Sequence, residues 1–117
     1  MTQARRAHGA HGEALVARWY TERGWTVLDR NWRCAEGELD VVVERDGTVA
    51  FCEVKARRND CFGSPFEAIT PTKQRRLRRL AACWIESRPA GQRPGDVRFD
   101  VAGVLAGVHV EVREAAF

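Results

Sequence analysis

Four charged side chains near the middle of the chain have the types and the spacing to hold a cation between two carboxylates. They lie on either side of Asp46-Gly47, a strong signal for a two-residue β-hairpin turn, because both turn positions of a type I′ turn need positive φ. If these two residues form the loop, Asp40 lies directly opposite Glu53. In the same register, Glu38 lies opposite Lys55. Since side chains alternate along a strand, all four would project from one face of the hairpin.

Two carboxylates that oppose each other directly have Cβ atoms about 4.5–5.5 Å apart, which is destabilising unless a cation lies between them. Mg²⁺ suits such a pair because it prefers oxygen ligands and keeps its other positions for water and substrate phosphate. Lys55 would point toward the same region and could hold a water molecule or a phosphate oxygen. A plainer interpretation stays open, in which the four residues form a solvent-exposed strand face and Glu38 pairs with Lys55 for roughly 0.2–1 kcal/mol. A one-residue slip in register would remove the opposition of the two acids.

A further acid, Glu13, lies in the first predicted helix. Apolar residues at helical spacing predict that this amphipathic helix runs from about Gly9 to Arg23. Glu13 shares a face with Val16 and Tyr20, which is the face expected to pack on the core. An acidic residue on a helix face that packs on the core is unusual unless another group pairs with its carboxylate. The alternative is a glutamate near a helix N-terminus, stabilised there by the helix dipole.

The hairpin strands are predicted over residues 38–45 and 48–56. Their other face, which carries Leu39, Val41, Val43, Cys52 and Val54, is expected to pack into the core. Periodicity and capping signals give the remaining elements: a strand at 25–28, a polar mobile segment at 57–63, a helix start at Ser64, a longer helix from Thr70-Pro71, and strands at 97–105 and 108–112. The order predicts an α/β protein with a central sheet flanked by helices.

Length and composition bound the class of protein. A chain of 117 residues suits one domain, which we expect over residues 9–117, after a flexible N-terminus at 1–8. The 44% apolar content argues against disorder. The four cysteines have no zinc-binding spacing. With no apolar signal segment and no run near the ~18 residues of a membrane span, a cytoplasmic protein with reduced thiols and no membrane partner is expected.

The net charge of +3 conceals an uneven distribution. Residues 55–79 contain eight basic and two acidic residues, a net charge of +6, whereas the rest of the chain carries −3. The basic residues of this segment are Lys55, Arg57, Arg58, Lys73, Arg75, Arg76, Arg78 and Arg79. Such a patch attracts phosphate backbones, although a solvated helix face is the commoner explanation of a charge run. Lys55 and Lys73 are the only lysines beside 17 arginines, and Lys73 is the candidate for a second phosphate contact.

The motifs resemble a known nuclease core. Gly37-Glu38-Leu39-Asp40, followed after twelve residues by Glu53-Val54-Lys55, resembles the PD-(D/E)xK pattern, with Leu39 where the pattern name has proline. Further motifs are similar to those of the small bacterial YraN family: Gly12-Glu13, Arg30-Asn31-Trp32-Arg33, Phe51-Cys52-Glu53, Phe62-Gly63-Ser64-Pro65 and Arg98-Phe99-Asp100-Val101. The resemblance extends from about residue 9 to residue 112.

This resemblance implies a restriction-endonuclease-like α/β fold around a central mixed sheet of about five strands. It also implies that Asp40 and Glu53 are ligands of Mg²⁺ or Mn²⁺, with the backbone carbonyl of Val54 as a further ligand. Lys55 would position or activate the attacking water, and Glu13 matches the helix glutamate that Holliday-junction resolvases add to the site.

The expected function is therefore metal-dependent cleavage of DNA, including branched or structured DNA. The analogy with resolvases favours a homodimer. Two alternatives belong to other classes. One is a DNA- or RNA-binding module that keeps the fold without cleaving. The other is a protein-interaction scaffold that does not contact nucleic acid.

Overall fold

The computed structural model describes residues 3–57 and 69–117. Its helices and strands, in chain order, are α1 (Gln3–Thr21), β1 (Thr26–Cys34), β2 (Gly37–Arg45), β3 (Thr48–Arg57), α2 (Pro71–Ser87), β4 (Asp96–Leu105) and β5 (His109–Arg113). A 3₁₀ turn at Ala90–Gln92 precedes β4. Within the described residues the predicted order of elements is confirmed, while the first helix begins at Gln3 rather than Gly9 and the first strand extends to Cys34.

The five strands form one mixed sheet in the order β1-β2-β3-β4-β5. Neighbouring strands are antiparallel except β3 and β4, which are parallel from Thr48↔Asp96 to Arg57↔Leu105. Parallel neighbours need a long crossover connection, and α2 supplies the helical part of it. The predicted α/β architecture with a central mixed sheet and flanking helices is therefore confirmed.

Each face of the sheet is covered by one helix. Val16 and Tyr20 of α1 pack with Val41, Val43 and other residues of one face. On the opposite face, α2 contributes Leu77, Leu80, Ala81 and Trp84 to a cluster that includes Val42 and Phe51. Because a helix covers each face of the sheet, alternate side chains of β2 pack into different hydrophobic clusters. For this reason β2 is an almost continuous run of apolar residues.

The β2–β3 turn has the predicted conformation. Asp46 and Gly47 both have positive φ, 51° and 82°, as a type I′ turn requires. The predicted register holds from Arg45↔Thr48 to Val41↔Cys52. This confirms the hairpin prediction as far as the last of these pairs.

The start of α2 is also as predicted. Thr70 is the N-cap, its hydroxyl accepts a hydrogen bond from the backbone N–H of Lys73, and Pro71 occupies the first helical position. The predicted helix start at Ser64 and most of the predicted mobile segment at 57–63 lie outside the described residues. No helix in the described part of the chain combines the length and apolar character needed to cross a membrane.

A fully buried aspartate links three parts of the fold. The Asp100 carboxylate accepts hydrogen bonds from the Tyr20 hydroxyl at 2.6 Å, from Arg98 Nε and Nη2 at 2.9 and 2.8 Å, and from the backbone N–H of Ala115 at 3.0 Å. Burial raises the pKa of Tyr20, so its hydroxyl stays protonated and donates. We call these groups the Asp100 network; they connect α1, β4 and the C-terminal segment.

Candidate metal centre

The sheet forks where β2 and β3 separate. β2 remains paired with β1 down to Cys34↔Gly37, and β3 remains paired with β4 to its end, but the β2–β3 ladder ends at Val41↔Cys52. Asp40 Oδ2 accepts a hydrogen bond of 2.8 Å from the backbone N–H of Val54. The Asp40 side chain therefore takes the place of the next backbone hydrogen bond between β2 and β3. The predicted ladder pairs Asp40–Glu53 and Glu38–Lys55 are not formed, although their residues stay at the fork.

The fork coincides with an irregularity in β1 and β2. Leu39 packs into the cluster under α2, whereas Val41 and Val43 pack under α1. The prediction that these three residues share one face is wrong, because strict alternation is interrupted at Asp40. The interruption lies beside Asn31, a non-glycine residue with a φ of 53° between the paired positions Arg30↔Val41 and Trp32↔Leu39.

Three carboxylates meet at this point. One oxygen each of Glu13, Glu38 and Asp40 lies within 4.8 Å of the others; we call these three residues the acidic cluster. Helix α1 brings Glu13 to the fork because Gly12 lies against the end of β3: a Cβ there would be 3.7 Å from Val54 Cγ1 and 3.8 Å from Ala56 Cβ. The prediction that Glu13 shares a face with Val16 and Tyr20 is confirmed, since all three are buried. Its position in the middle of α1 excludes the helix-dipole explanation.

The acidic cluster is electrostatically unfavourable without a cation. Burial, followed by the charge of Glu53, raises the pKa of Asp40 to about 7, and the Val54 hydrogen bond opposes this shift. Burial also raises the pKa of Glu13, against a hydrogen bond from the Asn31 side chain, with Glu38 adding to the increase. Glu13 is 8% exposed, and its Oε2 has no hydrogen-bond partner among the described residues. Carboxylate oxygens gathered in this way fit Mg²⁺ or Mn²⁺.

Glu53 and Lys55 lie beside the acidic cluster on β3. Lys55 Nζ is 3.5 Å from Glu53 Oε1, and the two side chains are only 19% and 13% exposed. Among the charged neighbours of Asp40, Glu53 contributes most to the raised pKa of Asp40, although Glu53 is not one of the three carboxylates of the acidic cluster. Lys55 therefore pairs with Glu53, while Glu38 pairs with Arg33 at 3.4 Å. The Glu38–Lys55 ion pair of the plainer interpretation is therefore not formed, and these two contacts take its place.

The Val54 carbonyl, the remaining ligand expected from the sequence, belongs to a residue whose backbone N–H faces β2. In a strand, the N–H and C=O of one residue point to the same side, and the N–H of Val54 donates to Asp40. The residues that sequence reasoning missed are Glu38, which joins the cluster as a carboxylate, and Asn31, which contacts Glu13. The family motif at residues 30–33 was the available signal for Asn31.

The basic residues of α2 have varied surroundings. The Arg78 guanidinium lies over the rings of Phe99 and Phe117, at 4.8 and 5.5 Å from their centroids. Arg79 Nε is 3.9 Å from Glu36 Oε2, and Arg75 donates to the Thr72 hydroxyl. All four arginines of this helix segment are exposed, and Arg78 has a packing role as well. Arg58 and the side chain of Arg57 lie outside what the structure describes.

A five-stranded mixed sheet flanked by two helices is consistent with a restriction-endonuclease-like α/β fold. Residues 12–104 match the model of a family described as the uncharacterised protein family UPF0102. The chain is 49% identical to a UPF0102 protein of Streptomyces griseus over 102 residues, which cover 87% of this chain and 85% of the relative. It is 50% identical over 103 residues to a UPF0102 protein of Streptomyces coelicolor (87% and 78% coverage) and 48% identical over 101 residues to one of Rhodococcus jostii (86% and 84%). The chain belongs to the UPF0102 family, which is the YraN family of the sequence prediction.

Proposed function

We propose that this protein is a metal-dependent endonuclease that hydrolyses phosphodiester bonds in DNA. The observation that carries the proposal is the acidic cluster, in which three carboxylates converge and one buried oxygen of Glu13 has no hydrogen-bond partner within residues 3–57 and 69–117. Strongly perturbed acids of this kind are typical of functional sites. Their mutual repulsion has no structural benefit, so we infer that they are retained to bind a cation.

The residues at the fork have distinct roles in this proposal. Asp40, Glu53 and Glu13 hold Mg²⁺ or Mn²⁺, together with the carbonyl of Val54 and with Glu38 as an added carboxylate. A bound divalent ion would polarise the scissile phosphate and lower the pKa of a water molecule. Lys55, held 3.5 Å from Glu53, orients the attacking water and stabilises negative charge on the phosphate. Asn31 keeps Glu13 in position through its side-chain hydrogen bond.

DNA is the proposed partner because the positive charge of the chain is concentrated directly after the site. The exposed Arg75 and Arg76, with Arg57, Arg58, Lys73, Arg78 and Arg79, would contact phosphates. A homodimer acting on branched DNA in the cytoplasm completes the proposal, by analogy with enzymes that cut two strands.

Calorimetric titration with Mn²⁺ tests the metal site. We expect wild-type protein to bind Mn²⁺ and the Asp40→Asn, Glu53→Gln double variant to bind it at least about tenfold more weakly, because ligands are removed. A matched control is Glu22→Gln, Glu111→Gln, which removes two exposed acids that are not part of the acidic cluster. Equal Mn²⁺ affinity in the wild type and the site variant would contradict the proposal.

Cleavage of linear, single-stranded, flapped and four-way DNA in Mn²⁺ tests the reaction. We expect Lys55→Gln to reduce the rate by about 10²–10³-fold, as for loss of a charge-stabilising group. Equal rates for both proteins would indicate a contaminating nuclease. Salt-dependent DNA binding without cleavage by the wild type would instead support the binding module, and absence of binding at low salt would support the scaffold.

A further inference from the structure

Three aromatic rings on the α2 face of the sheet stack from the core to the surface. Phe51 of β3 and Phe99 of β4 are partners in the parallel ladder, and their ring centroids lie 5.7 Å apart at an interplanar angle of 27°. The ring of Phe117 continues the stack, with its centroid 5.1 Å from that of Phe99 and an interplanar angle of 19°. Phe51 and Phe99 are 2% and 7% exposed, whereas Phe117 is only partly buried. The outermost residue of the stack is therefore accessible from solution.

The backbone of the C-terminal segment fixes this outermost residue. The N–H of Ala115 donates to the Asp100 carboxylate at 3.0 Å, and the N–H of Ala116 donates to the carbonyl of Phe99 at 2.7 Å. Phe117 follows directly after these two anchored residues. A ring held in this way loses little conformational freedom when a second planar group stacks on it, and this preorganisation favours binding.

Positive charge accompanies the exposed end of the stack. The Arg78 guanidinium lies 4.8 Å from the ring centroid of Phe99 and 5.5 Å from that of Phe117. Arg75, one turn earlier on the same helix, is exposed as Arg78 is. An apolar protein surface would complement the rings but not the arginines, whereas a nucleic acid offers both an anionic backbone and planar bases. The chemistry of this surface thus favours a nucleic acid whose bases are accessible.

The aromatic stack lies on the same face of the sheet as two residues of the proposed site. Phe51 precedes Glu53 by two residues on β3, and Lys55 follows after two more. Side chains at this spacing point to one face of a strand, and Phe51 packs under α2. A nucleic acid bound along α2 would therefore meet the aromatic stack and these two residues on one side of the molecule.

We propose that Phe117 and Arg78 form a stacking platform for an unpaired base of single-stranded DNA. The inference rests on the proposed function and narrows its substrate class to DNA with single-stranded or branched segments. Bases of a continuous duplex are stacked on each other and cannot reach the platform, whereas unstacked bases bind to aromatic rings and to guanidinium planes. The guanidinium of Arg78 has five N–H donors, so it can contact a phosphate of the same strand as well.

Three labelled oligonucleotides of equal length probe the platform: a short oligothymidylate, the same strand with abasic residues, and a duplex. Their affinities for the full chain would be measured by fluorescence anisotropy in EDTA, where a metal-dependent nuclease does not cleave. For the wild type we expect the abasic strand to bind about tenfold more weakly than oligothymidylate, because base stacking is lost.

Phe117→Leu keeps an apolar side chain against Phe99 and removes the outermost ring. It should bind oligothymidylate about tenfold more weakly than the wild type does. Its affinities for the abasic strand and the duplex should equal those of the wild type, since neither offers a base to the platform. Phe117→Tyr keeps an aromatic ring and should retain the affinity for oligothymidylate.

The matched control is Trp19→Leu. Trp19 of α1 is also partly buried and lies under an arginine, with the Arg23 guanidinium 3.9 Å from its ring centroid. It packs on the opposite face of the sheet, so we expect this variant to bind all three oligonucleotides with the affinity of the wild type.

Equal affinities of the wild type and Phe117→Leu for oligothymidylate, or equal losses in Phe117→Leu and Trp19→Leu, would overturn the inference. So would a loss in Phe117→Leu that is as large for the duplex as for oligothymidylate, because this would indicate a disturbed fold. Binding of the duplex without binding of single strands would overturn the stacking platform and leave the proposed function intact. Absence of binding to all three oligonucleotides would contradict DNA as the partner, and this inference with it.

Discussion

Asp100 on β4 and Asp40 on β2 are both aspartates of the central sheet, and their surroundings are opposite. Asp100 is fully buried and accepts four hydrogen bonds, two of them from the Arg98 guanidinium. Asp40 accepts one backbone hydrogen bond and is close to Glu13, Glu38 and Glu53. One carboxylate is neutralised by the protein itself, and the other is surrounded by negative charge.

The difference separates a structural acid from a functional one. A buried charge with a complete set of donors holds elements together, and removal of it leaves its partners without their bonds. A group of acids whose few donors do not offset their mutual repulsion destabilises the fold unless a cation binds there. Substitutions in the Asp100 network and at Asp40 should therefore change stability in opposite directions.

The largest effect is expected in the Asp100 network. Asp100→Ala should lower the free energy of unfolding by about 3–5 kcal/mol, because Arg98 and Tyr20 lose their buried acceptor. Urea denaturation followed by tryptophan fluorescence would measure it. Glu114→Gln is the control, since Glu114 is half-exposed and 3.5 Å from the same arginine; its cost should be at most about 1 kcal/mol. Similar costs for the two variants would contradict the structural role of Asp100.

Asp40→Asn should have the opposite effect. Without metal at pH 8, we expect the variant to be about 1–3 kcal/mol more stable than the wild type, because a buried charge among like charges is removed while the acceptor for Val54 remains. Mn²⁺ should stabilise the wild type and not the variant. A variant less stable than the wild type in EDTA would show that Asp40 serves the fold instead.

The difference in stability between the wild type and Asp40→Asn should depend on pH. The pKa of Asp40 is raised from 3.8 to about 7 in the folded state, so the folded protein binds more protons than the unfolded chain between these values. Stability contributed by this group is thus present at low pH and is lost as the pH rises from about 4 to 7. The advantage of Asp40→Asn should shrink as the pH falls to about 4.5, and a constant difference from pH 4.5 to 8 would contradict this assignment.

Tyr20→Phe should give the smallest of these effects. It removes one donor from Asp100 and leaves the three from Arg98 and Ala115, so we expect a loss of about 1–2 kcal/mol in urea denaturation. Tyr20 also packs against Trp25 with ring centroids 5.6 Å apart, and phenylalanine preserves this contact. A loss as large as that of Asp100→Ala would mean that the hydroxyl is the dominant donor.

The sequence by itself determined the features that depend on neighbouring residues. The register near the turn follows from Asp46-Gly47, because a two-residue loop fixes which residues are paired. The start of α2 follows from Thr70-Pro71, and the inward face of Glu13 follows from its spacing to Val16. The elements of the site could therefore be predicted before their arrangement was known.

Only the tertiary structure decided how these elements meet. The parallel pairing of β3 with β4 and the early separation of β2 from β3 depend on contacts between segments far apart in the chain. For this reason Glu38 joins the acidic cluster rather than pairing with Lys55, and Leu39 packs under α2. Local spacing assigns a side chain to a face of its own element, but its charged neighbours depend on which elements pack together.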